Sequence, residues 1–416
     1  MRLRWFYPLA GAAVLALSAL VAAPGPALAA STKTKPTAPT KTGPAEPRAK
    51  AAPAPTEPVS GPIDTQAKHA LILEVETGAV LLDKGADERM PPASMSKVMT
   101  AYVVFGMLKE GRVKLDDELP VSEHAWRTGG SKMFVPLGGH IKIDDLLRGM
   151  IVQSGNDACI VLAEGLAGSE AAFVDLMNAK AKEIGLAHSH FADVDGLPNP
   201  DHYMTARDLV TLALRTIADF PQYYHYYGEK DFAFNNIDQG NRNPLIYRDI
   251  GADGLKTGHT EEAGYSLLAS VHRDNRRVVL VLGGLPTMRA RAQESERLIE
   301  WAFREFNDYR LLGAGEKVDD AEVWLGTQAK VPLMIATDLV VTMPRKSRKD
   351  MKVTVAYDKP IAAPIEKGDQ IGKVFVSAPD MAGVEAPLLA AASVERMGAL
   401  GRMAMVAAHL IWGTRH

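Results

Sequence analysis

The sequence predicts an α/β domain of the α+β type, followed by a small all-β sandwich domain and a C-terminal amphipathic helix. Two strand-like segments begin near residue 69 and two more near residue 265, and helix-like segments fill the interval between them. From about residue 315, short strand patterns alternate with turn residues. With 416 residues, the chain is long enough for two or three domains that each bury a core.

The N-terminal residues have the pattern of a secretory signal peptide. Arg2 and Arg4 precede an apolar run from Leu9 to Val21, and Ala27-Leu28-Ala29 supplies small residues for cleavage. The alternative is a transmembrane anchor, but the run is shorter than the roughly 20 residues that a membrane-spanning helix needs. We therefore expect residues 1–29 to be a cleaved signal peptide and the mature protein to be exported to an oxidising compartment.

The next segment, residues 30–63, is rich in Pro, Ala, Thr and Lys and has almost no side chains to bury. Such a composition cannot offset the entropy that is lost on ordering the chain. We expect a loose, partly extended linker.

From residue 64 the pattern becomes globular, and we assign residues 64–314 to one domain. The predicted strands are 69–75, 79–82, 265–271 and 277–282, and the predicted helices are 95–108, 144–150, 158–166, 171–184 and 293–306. Because strands lie at both ends of a run of helices, we expect one sheet that is assembled from distant segments and has helices on its faces.

The C-terminal part predicts two further elements. Residues 315–392 contain short strand candidates at 323–325, 331–333, 339–341, 353–357 and 374–376, as in a small β-sandwich. In residues 393–416, apolar side chains recur at intervals of mostly three and four, with arginines off the stripe. This amphipathic helix lies either at a membrane interface or against the body of the protein.

Composition excludes several classes of function. The formal net charge is −3, so a protein that binds nucleic acid through its phosphates is disfavoured. The single cysteine, Cys159, excludes an intramolecular disulfide and a cysteine-based zinc cluster, and its apolar neighbours indicate a packing role. We expect no metal and no cofactor. Tyrosines 223, 224, 226 and 227 predict either a packing cluster or a carbohydrate-stacking surface.

Three short motifs carry the chemistry, and they stand in a fixed order. They are S-x-x-K from Ser94 to Lys97, S-x-N from Ser154 to Asn156, and K-T-G from Lys256 to Gly258. Each motif alone is weak: a second K-T-G at residues 41–43 lies in the linker, before the serine, and is coincidental. The ordered set is characteristic of penicillin-binding proteins and class A β-lactamases.

These residue types fit nucleophilic catalysis. On a helix, residues i and i+3 share a face, so the Lys97 amine lies beside the Ser94 hydroxyl and can take its proton when neutral. Burial and the neighbouring charge of Lys256 are expected to lower the pKa of Lys97. The Ser94 amide, at a helix N-terminus, can stabilise an oxyanion. Asn156 can hold both Lys97 and a substrate carbonyl, and Ser154 can relay the proton to the leaving amine.

The segments PPASMSKVMT (91–100), SGNDA (154–158) and GLKTGHT (254–260) closely resemble the low-molecular-mass penicillin-binding proteins. More narrowly, the chain from about residue 64 onward is similar to the serine-type D-alanyl-D-alanine carboxypeptidases of the periplasm. The resemblance implies a penicillin-binding/β-lactamase-like transpeptidase fold for residues 64–314. It also implies removal of the terminal D-alanine from the peptidoglycan pentapeptide through an acyl-enzyme. β-Lactam antibiotics would acylate the same serine, and the C-terminal helix would attach the periplasmic enzyme peripherally to the surface of the inner membrane.

The resemblance assigns further substrate-binding positions. Thr257 and Gly258 would lie along the substrate, the His259 amide would complete the oxyanion site, and Arg291 would bind the substrate carboxylate. Arg289 is the alternative partner for that carboxylate. The sequence departs from the family in the turn at residues 283–287, where an arginine is expected.

Other functions remain as alternatives. A D,D-endopeptidase that cuts cross-links would use the same motifs. A β-lactamase needs a second base, typically a glutamate beyond the S-x-N turn, and residues 192–208 contain none, so only weak lactamase activity is expected. A non-catalytic wall-binding protein would have a broken set of catalytic residues, whereas Ser94, Lys97, Asn156 and Lys256 are all present.

Overall fold

A computed structural model describes residues 63–412 of the chain. The predicted signal peptide (1–29) and nearly all of the predicted linker (30–63) therefore lie outside the described residues. The strands are β1 (His69–Glu74), β2 (Val80–Lys84), β3 (Glu118–Pro120), β4 (His140–Lys142), β5 (Asp231–Phe234), β6 (Ile237–Gly240), β7 (Ala252–Thr260), β8 (Gly264–Arg273), β9 (Arg276–Leu285), β10 (Phe306–Leu312), β11 (Lys317–Trp324), β12 (Lys330–Met334), β13 (Leu339–Pro344), β14 (Lys352–Tyr357), β15 (Ile361–Ala362), β16 (Gln370–Ser377) and β17 (Val384–Ala390). The helices are α1 (Lys97–Lys109), α2 (Glu123–Arg127), α3 (Ile143–Ile151), α4 (Asn156–Ala167), α5 (Glu170–Glu183), α6 (Ala206–Asp219), α7 (Met288–Glu305) and α8 (Ala399–Trp412).

The central sheet has five strands in the order β2-β1-β9-β8-β7, and all neighbours are antiparallel. Its first strand, β1, pairs with β9, from the far end of the domain, in the register Leu71↔Val281. The expectation of one sheet built from distant segments is confirmed. β7 ends the strand order, so one of its edges carries no partner strand within residues 63–412.

The main core lies between one face of this sheet and helices α1 to α6. Helix α1 is apolar on nearly every side, and all of its side chains from Val98 to Phe105 are buried. Cys159 is fully buried on α4, as the packing role predicts. Tyr226 and Tyr227 are buried against Phe105, with ring centroids 6.2 and 6.4 Å away. The tyrosines therefore form a packing cluster and not a carbohydrate-stacking surface.

The opposite face of the sheet packs against α7 in a second core, where Leu298 and Ile299 meet Leu280 and Leu282. Helix α7 is amphipathic, and Thr287 caps it by accepting a hydrogen bond from Ala290 N at 3.0 Å. This helix begins five residues earlier than the pattern from residue 293 predicts.

The C-terminal domain is all-β and has a core of its own, confirming this part of the predicted fold class. Six strands form one sheet in the order β14-β16-β17-β12-β11-β15, and β10 pairs with β13 in a second sheet. The five predicted strand candidates correspond to β11 to β14 and β16, whereas β10, β15 and β17 are additional. Because β10 already pairs with β13, the strand pairing of this domain begins at Phe306.

The predicted C-terminal amphipathic stripe is divided between two environments. Val394 is 1% exposed in the core of the β domain and forms a bridge with Ile365. Beyond it, α8 exposes Leu400, Met403 and Val406 to 85%, 71% and 42%. Within residues 63–412, no helix combines the length and apolar character that crossing a bilayer requires.

Candidate active site

Ser94 lies in a single 3-10 turn, Ala93–Ser96, that leads directly into α1. The turn is tight: Ala93 has a φ of +48°, and Ser96 Oγ donates to the Ala93 carbonyl at 3.0 Å. β7 passes close beside it, since a Cβ at Gly258 would lie 2.7 Å from the Pro92 carbonyl oxygen. The glycine of K-T-G therefore allows the open edge strand to approach the serine.

Lys97 is 1% exposed, and its amine has three oxygen neighbours. Nζ lies 2.9 Å from Ser94 Oγ and 2.8 Å from Asn156 Oδ1, and it also donates to the carbonyl of Asp195. The amide and carbonyl oxygens can only accept, so a neutral amine donates to both and keeps its lone pair for the Ser94 hydroxyl proton. This is the arrangement that a general base for serine requires.

The S-x-N turn holds the second side of the site. Ser154 has a φ of +63° and is buried, and α4 begins at Asn156, whose Nδ2 donates to Gly129 O at 2.9 Å. Asp157 accepts from the backbone N–H groups of residues 133–135 at 2.9, 2.8 and 3.2 Å. Asp157 thereby fixes the loop that covers Asn156. Sequence reasoning missed this residue, although it directly follows S-x-N.

Lys256 is 2% exposed on β7. Burial holds the pKa of Lys256 well below its usual range, and the charge of Lys97 lowers it further. Its Nζ donates to the Thr257 carbonyl at 3.3 Å. The K-T-G motif lies within its own strand and does not merely precede the strand near Tyr265, with Thr257 paired to Leu267 of β8.

Two arginines, Arg291 and Arg242, lie close enough to Lys256 for their charges to lower its pKa. Arg291 is 5% exposed on α7, its Nη2 donates to the Arg242 carbonyl at 3.3 Å, and its guanidinium lies 5.8 Å from the centroid of the Tyr265 ring. Burial lowers the pKa of Arg291 to about 10, with Tyr265 opposing and Arg242 adding to the shift. Arg289, by contrast, is exposed.

Arg242 was not predicted as a site residue. It follows β6, and the asparagines on either side anchor it, because Asn241 Nδ2 donates to Glu229 O and Asn243 Nδ2 to Gly254 O, both at 2.9 Å. The signal in the sequence is Asn-Arg-Asn, an arginine between two residues that favour fixed turns. Within residues 63–412, neither Arg242 nor Arg291 forms an ion pair with a carboxylate.

His259 occupies the end of β7. Its side chain is exposed, its ring centroid lies 4.0 Å from that of Tyr265, and the two residues are paired across β7 and β8. The structure thus brings the three motifs, His259 and Arg291 to one edge of the sheet. An open groove of about 450 Å³ at the end of β7 shares His259 with this site, and its lining includes none of the motif residues.

Models of known protein families match both domains of the chain. The model of the peptidase S11 family, D-alanyl-D-alanine carboxypeptidases, matches residues 53–287. The chain belongs to this family. The C-terminal domain of penicillin-binding protein 5 matches residues 306–396.

Individual S11 proteins are similar along most of the chain. D-alanyl-D-alanine carboxypeptidase DacC of Escherichia coli is 38% identical over 345 residues, which cover 81% of this chain and 86% of DacC. DacA of Haemophilus influenzae is 38% identical over 319 residues, 75% of this chain and 81% of DacA. The resemblance to the D-alanyl-D-alanine carboxypeptidases, the predicted fold class and the predicted enzyme class, a serine-type carboxypeptidase hydrolase, are confirmed.

Solved structures give the same assignment. Penicillin-binding protein 5 from H. influenzae superposes with a TM-score of 0.72 at 36% identity, covering 81% of this chain and all of that chain. Penicillin-binding protein D2 from Listeria monocytogenes, in its ampicillin-bound form, superposes with a TM-score of 0.54 at 28% identity. It covers 59% of this chain and 100% of its own.

Proposed function

We propose that this S11 enzyme is a serine D,D-carboxypeptidase that releases the terminal D-alanine from peptidoglycan pentapeptides through an acyl-enzyme on Ser94. The observation that carries the proposal is the buried Lys97 amine, 2.9 Å from Ser94 Oγ and held on its other sides by two oxygens that only accept. A serine hydroxyl becomes nucleophilic when such a base removes its proton.

In the first half of the reaction, Ser94 Oγ attacks the carbonyl carbon of the penultimate D-alanine while its proton passes to Lys97. The oxyanion that forms is stabilised by the backbone amides of Ser94 and His259. The C–N bond then breaks, and the leaving amine of the terminal D-alanine takes a proton that Ser154 relays. Water hydrolyses the resulting ester and frees Ser94.

The substrate lies as an added strand along the open edge of β7, where Lys256, Thr257 and Gly258 face it. Its terminal carboxylate lies at the cationic end of that edge, against Arg291 and Arg242. A guanidinium binds a carboxylate through paired charge-assisted hydrogen bonds, and the cations there have no protein carboxylate as partner within residues 63–412. This orientation places the penultimate residue beside Ser94.

β-Lactam antibiotics acylate Ser94 in the same way. The support is the family and the ampicillin-bound form of the similar Listeria protein. Because residues 192–208 contain no glutamate, we expect a long-lived adduct.

We also propose that the enzyme is exported to the periplasm and attaches peripherally to the inner membrane through α8. The support is one exposed apolar face at three-residue spacing, formed by Leu400, Met403 and Val406. An amphipathic helix with such a face buries it at a lipid interface.

The experiment for the catalytic proposal is digestion of a defined pentapeptide muropeptide and a cross-linked dimer, with products resolved by mass. We expect release of D-alanine from the pentapeptide, and loss of at least 10³-fold of the rate in Ser94→Ala, since the nucleophile is removed. A Ser122→Ala variant is the control, because Ser122 only caps α2. D-alanine release by Ser94→Ala at the rate of the unaltered enzyme would refute the proposal, and cleavage of the dimer alone would assign an endopeptidase.

A further inference from the structure

Asp195, in the loop between α5 and α6, has a buried carboxyl group that the steps above do not use. The residue is 2% exposed. Its Oδ1 accepts a hydrogen bond from Leu197 N at 3.2 Å, whereas Oδ2 is buried and has no hydrogen-bond partner. A buried carboxyl oxygen without a partner costs stability, so its retention beside the active-site lysine calls for a functional explanation.

The loop is held rigidly against the start of α1. Asp193 Oδ1 accepts from the backbone N–H groups of Asp195 and Gly196 at 3.1 and 2.5 Å, and its Oδ2 pairs with His202 Nδ1 at 2.9 Å. Gly196 has a φ of +80°, and a Cβ there would clash with the Ala93 carbonyl oxygen. The Asp195 carbonyl thereby accepts from the Lys97 amine, and the hydrogen bond from Leu197 N holds one oxygen of the Asp195 carboxyl group within the same loop.

Three charged groups act on this carboxyl group: Lys97 on α1, Glu170 on α5, and Asp193 in the same loop. Asp193 is itself paired with His202, and the Asp195 carboxyl group in turn raises the pKa of the buried Cys159 thiol on α4. Burial raises the pKa of Asp195 to about 6; the charge of Lys97 opposes this shift and that of Asp193 adds to it. The carboxyl group therefore changes its charge within the range in which the enzyme can be assayed.

We propose that Asp195 is a positioning residue for Lys97: its carbonyl holds the amine against Ser94, and its ionised carboxylate stabilises the positive charge that Lys97 gains with the serine proton. The inference rests on the proposed function, because Lys97 must act as the base. An opposite charge close to a forming ammonium favours that ammonium. Protonation of Asp195 removes this support, so acylation of Ser94 slows as the pH falls.

The test is the Asp195→Asn variant, which keeps the backbone carbonyl and the oxygen that accepts from Leu197 but cannot ionise. D-alanine release and acylation by a fluorescent penicillin are measured from pH 4.5 to 9. For the unaltered enzyme we expect kcat/KM to rise with pH through about 6. In Asp195→Asn we expect this rise to disappear and acylation at pH 7.5 to be about tenfold slower, the factor that one pKa unit represents.

Asp201→Asn is the matched control, since Asp201 is exposed in the same loop, and it should keep the profile of the unaltered enzyme. Asp195→Ala is a second variant that keeps the carbonyl. Rates are normalised to the fraction of Ser94 that a β-lactam titrates, so partial misfolding does not enter. If Asp195→Asn or Asp195→Ala keeps the rise of kcat/KM with pH through about 6, whatever its absolute rate, the inference is overturned. Absence of D-alanine release by the unaltered enzyme would instead refute the proposed function.

Discussion

At the scale of single residues, the buried cations of the site are unfavourable for the fold and favourable for the chemistry. Lys256 and Arg291 are 2% and 5% exposed, and burial lowers the pKa of both side chains. The charge of Arg291 lowers the pKa of Lys256 further. Removing such charges from water without a counter-charge costs free energy. In the proposed function, the substrate carboxylate supplies the missing negative charge and offsets this cost on binding.

Arg291 is buried and Arg289 is exposed, so substitution of each arginine can test which one binds the substrate carboxylate. We expect Arg291→Gln to lower kcat/KM for a peptide that ends in D-Ala-D-Ala carboxylate by roughly 10- to 100-fold, since hydrogen bonds to charged groups contribute about 1.5–3 kcal/mol. The same change should matter little for a peptide with a C-terminal amide. Arg289→Gln is the control and should leave both substrates unaffected, because its side chain is exposed. Equal losses in the two variants would contradict the assignment.

Only the contact between Ser94 and Lys97 could be predicted from local geometry, whereas Asn156, Lys256 and Arg291 were predicted from the ordered motifs and the family resemblance. Ser94 and Lys97 are three positions apart, so the turn that contains them fixes their contact. Asp195 and Arg242 escaped prediction because their contacts are not local. The carbonyl of Asp195 reaches Lys97 across 98 residues of sequence. An aspartate in a turn and an arginine between asparagines carry no periodic signal that places them beside a serine.

At the scale of elements, strong apolar patterns were predictable and context-dependent strands were not. β8 and β9 are rich in Val and Leu, and each contains the whole of the strand predicted there, 265–271 and 277–282. β7 reads ADGLKTGHT, a composition with little strand preference, and it is extended because β8 pairs with it along its length. The strands of the short antiparallel pairs β3–β4 and β5–β6 have too few residues for a period to appear.

Helix α8 gives a prediction about attachment. We expect the exported protein to sediment with vesicles that contain anionic lipid, and a chain ending at Met397 to remain in solution. This end point keeps Val394, which is 1% exposed in the core, and the Met397 N–H bond to Leu325 O, so the β domain stays intact. Replacing Leu400, Met403 and Val406 together by serine should abolish sedimentation equally, since the exposed apolar face is lost. Vesicle binding by the shortened chain would show that α8 is not the anchor.

At the scale of the whole molecule, a buried charge network joins the central sheet to the β domain. Glu74, at the end of β1, accepts from Arg276 Nη2 at 2.7 Å. Arg276 Nε lies 3.5 Å from Asp308 Oδ2 on β10, and Arg276 Nη1 donates to Phe306 O at 3.0 Å. Two carboxylates thus share one guanidinium at the junction. The sequence indicates two domains, but charged residues at strand ends do not reveal such a network.

Glu74 therefore links stability to pH. Burial raises its pKa to about 7, Asp308 adds to the shift, and Arg276 opposes it. Because the folded pKa lies above the unfolded one, the contribution of Glu74 to the free energy of unfolding is fully present below about pH 4.5. It is lost as the pH rises through about 7, and the whole change is roughly 3 kcal/mol. Glu74→Gln lacks this dependence, so its melting temperature relative to the unaltered protein should rise from pH 5 to about pH 7 and level off by pH 8.

Thermal unfolding followed by circular dichroism at four pH values measures this difference. Glu76→Gln is the matched control, two positions away and exposed, and its difference from the unaltered protein should stay constant with pH. The comparison depends on slopes and not on the absolute stability of either variant, so the loss of a hydrogen bond in Glu74→Gln does not obscure it. A difference for Glu74→Gln that falls or stays flat between pH 5 and 8 would mean that Glu74 is ionised in the folded protein throughout. In that case the ion pair with Arg276, and not burial, would determine the charge of Glu74 at the junction between the domains.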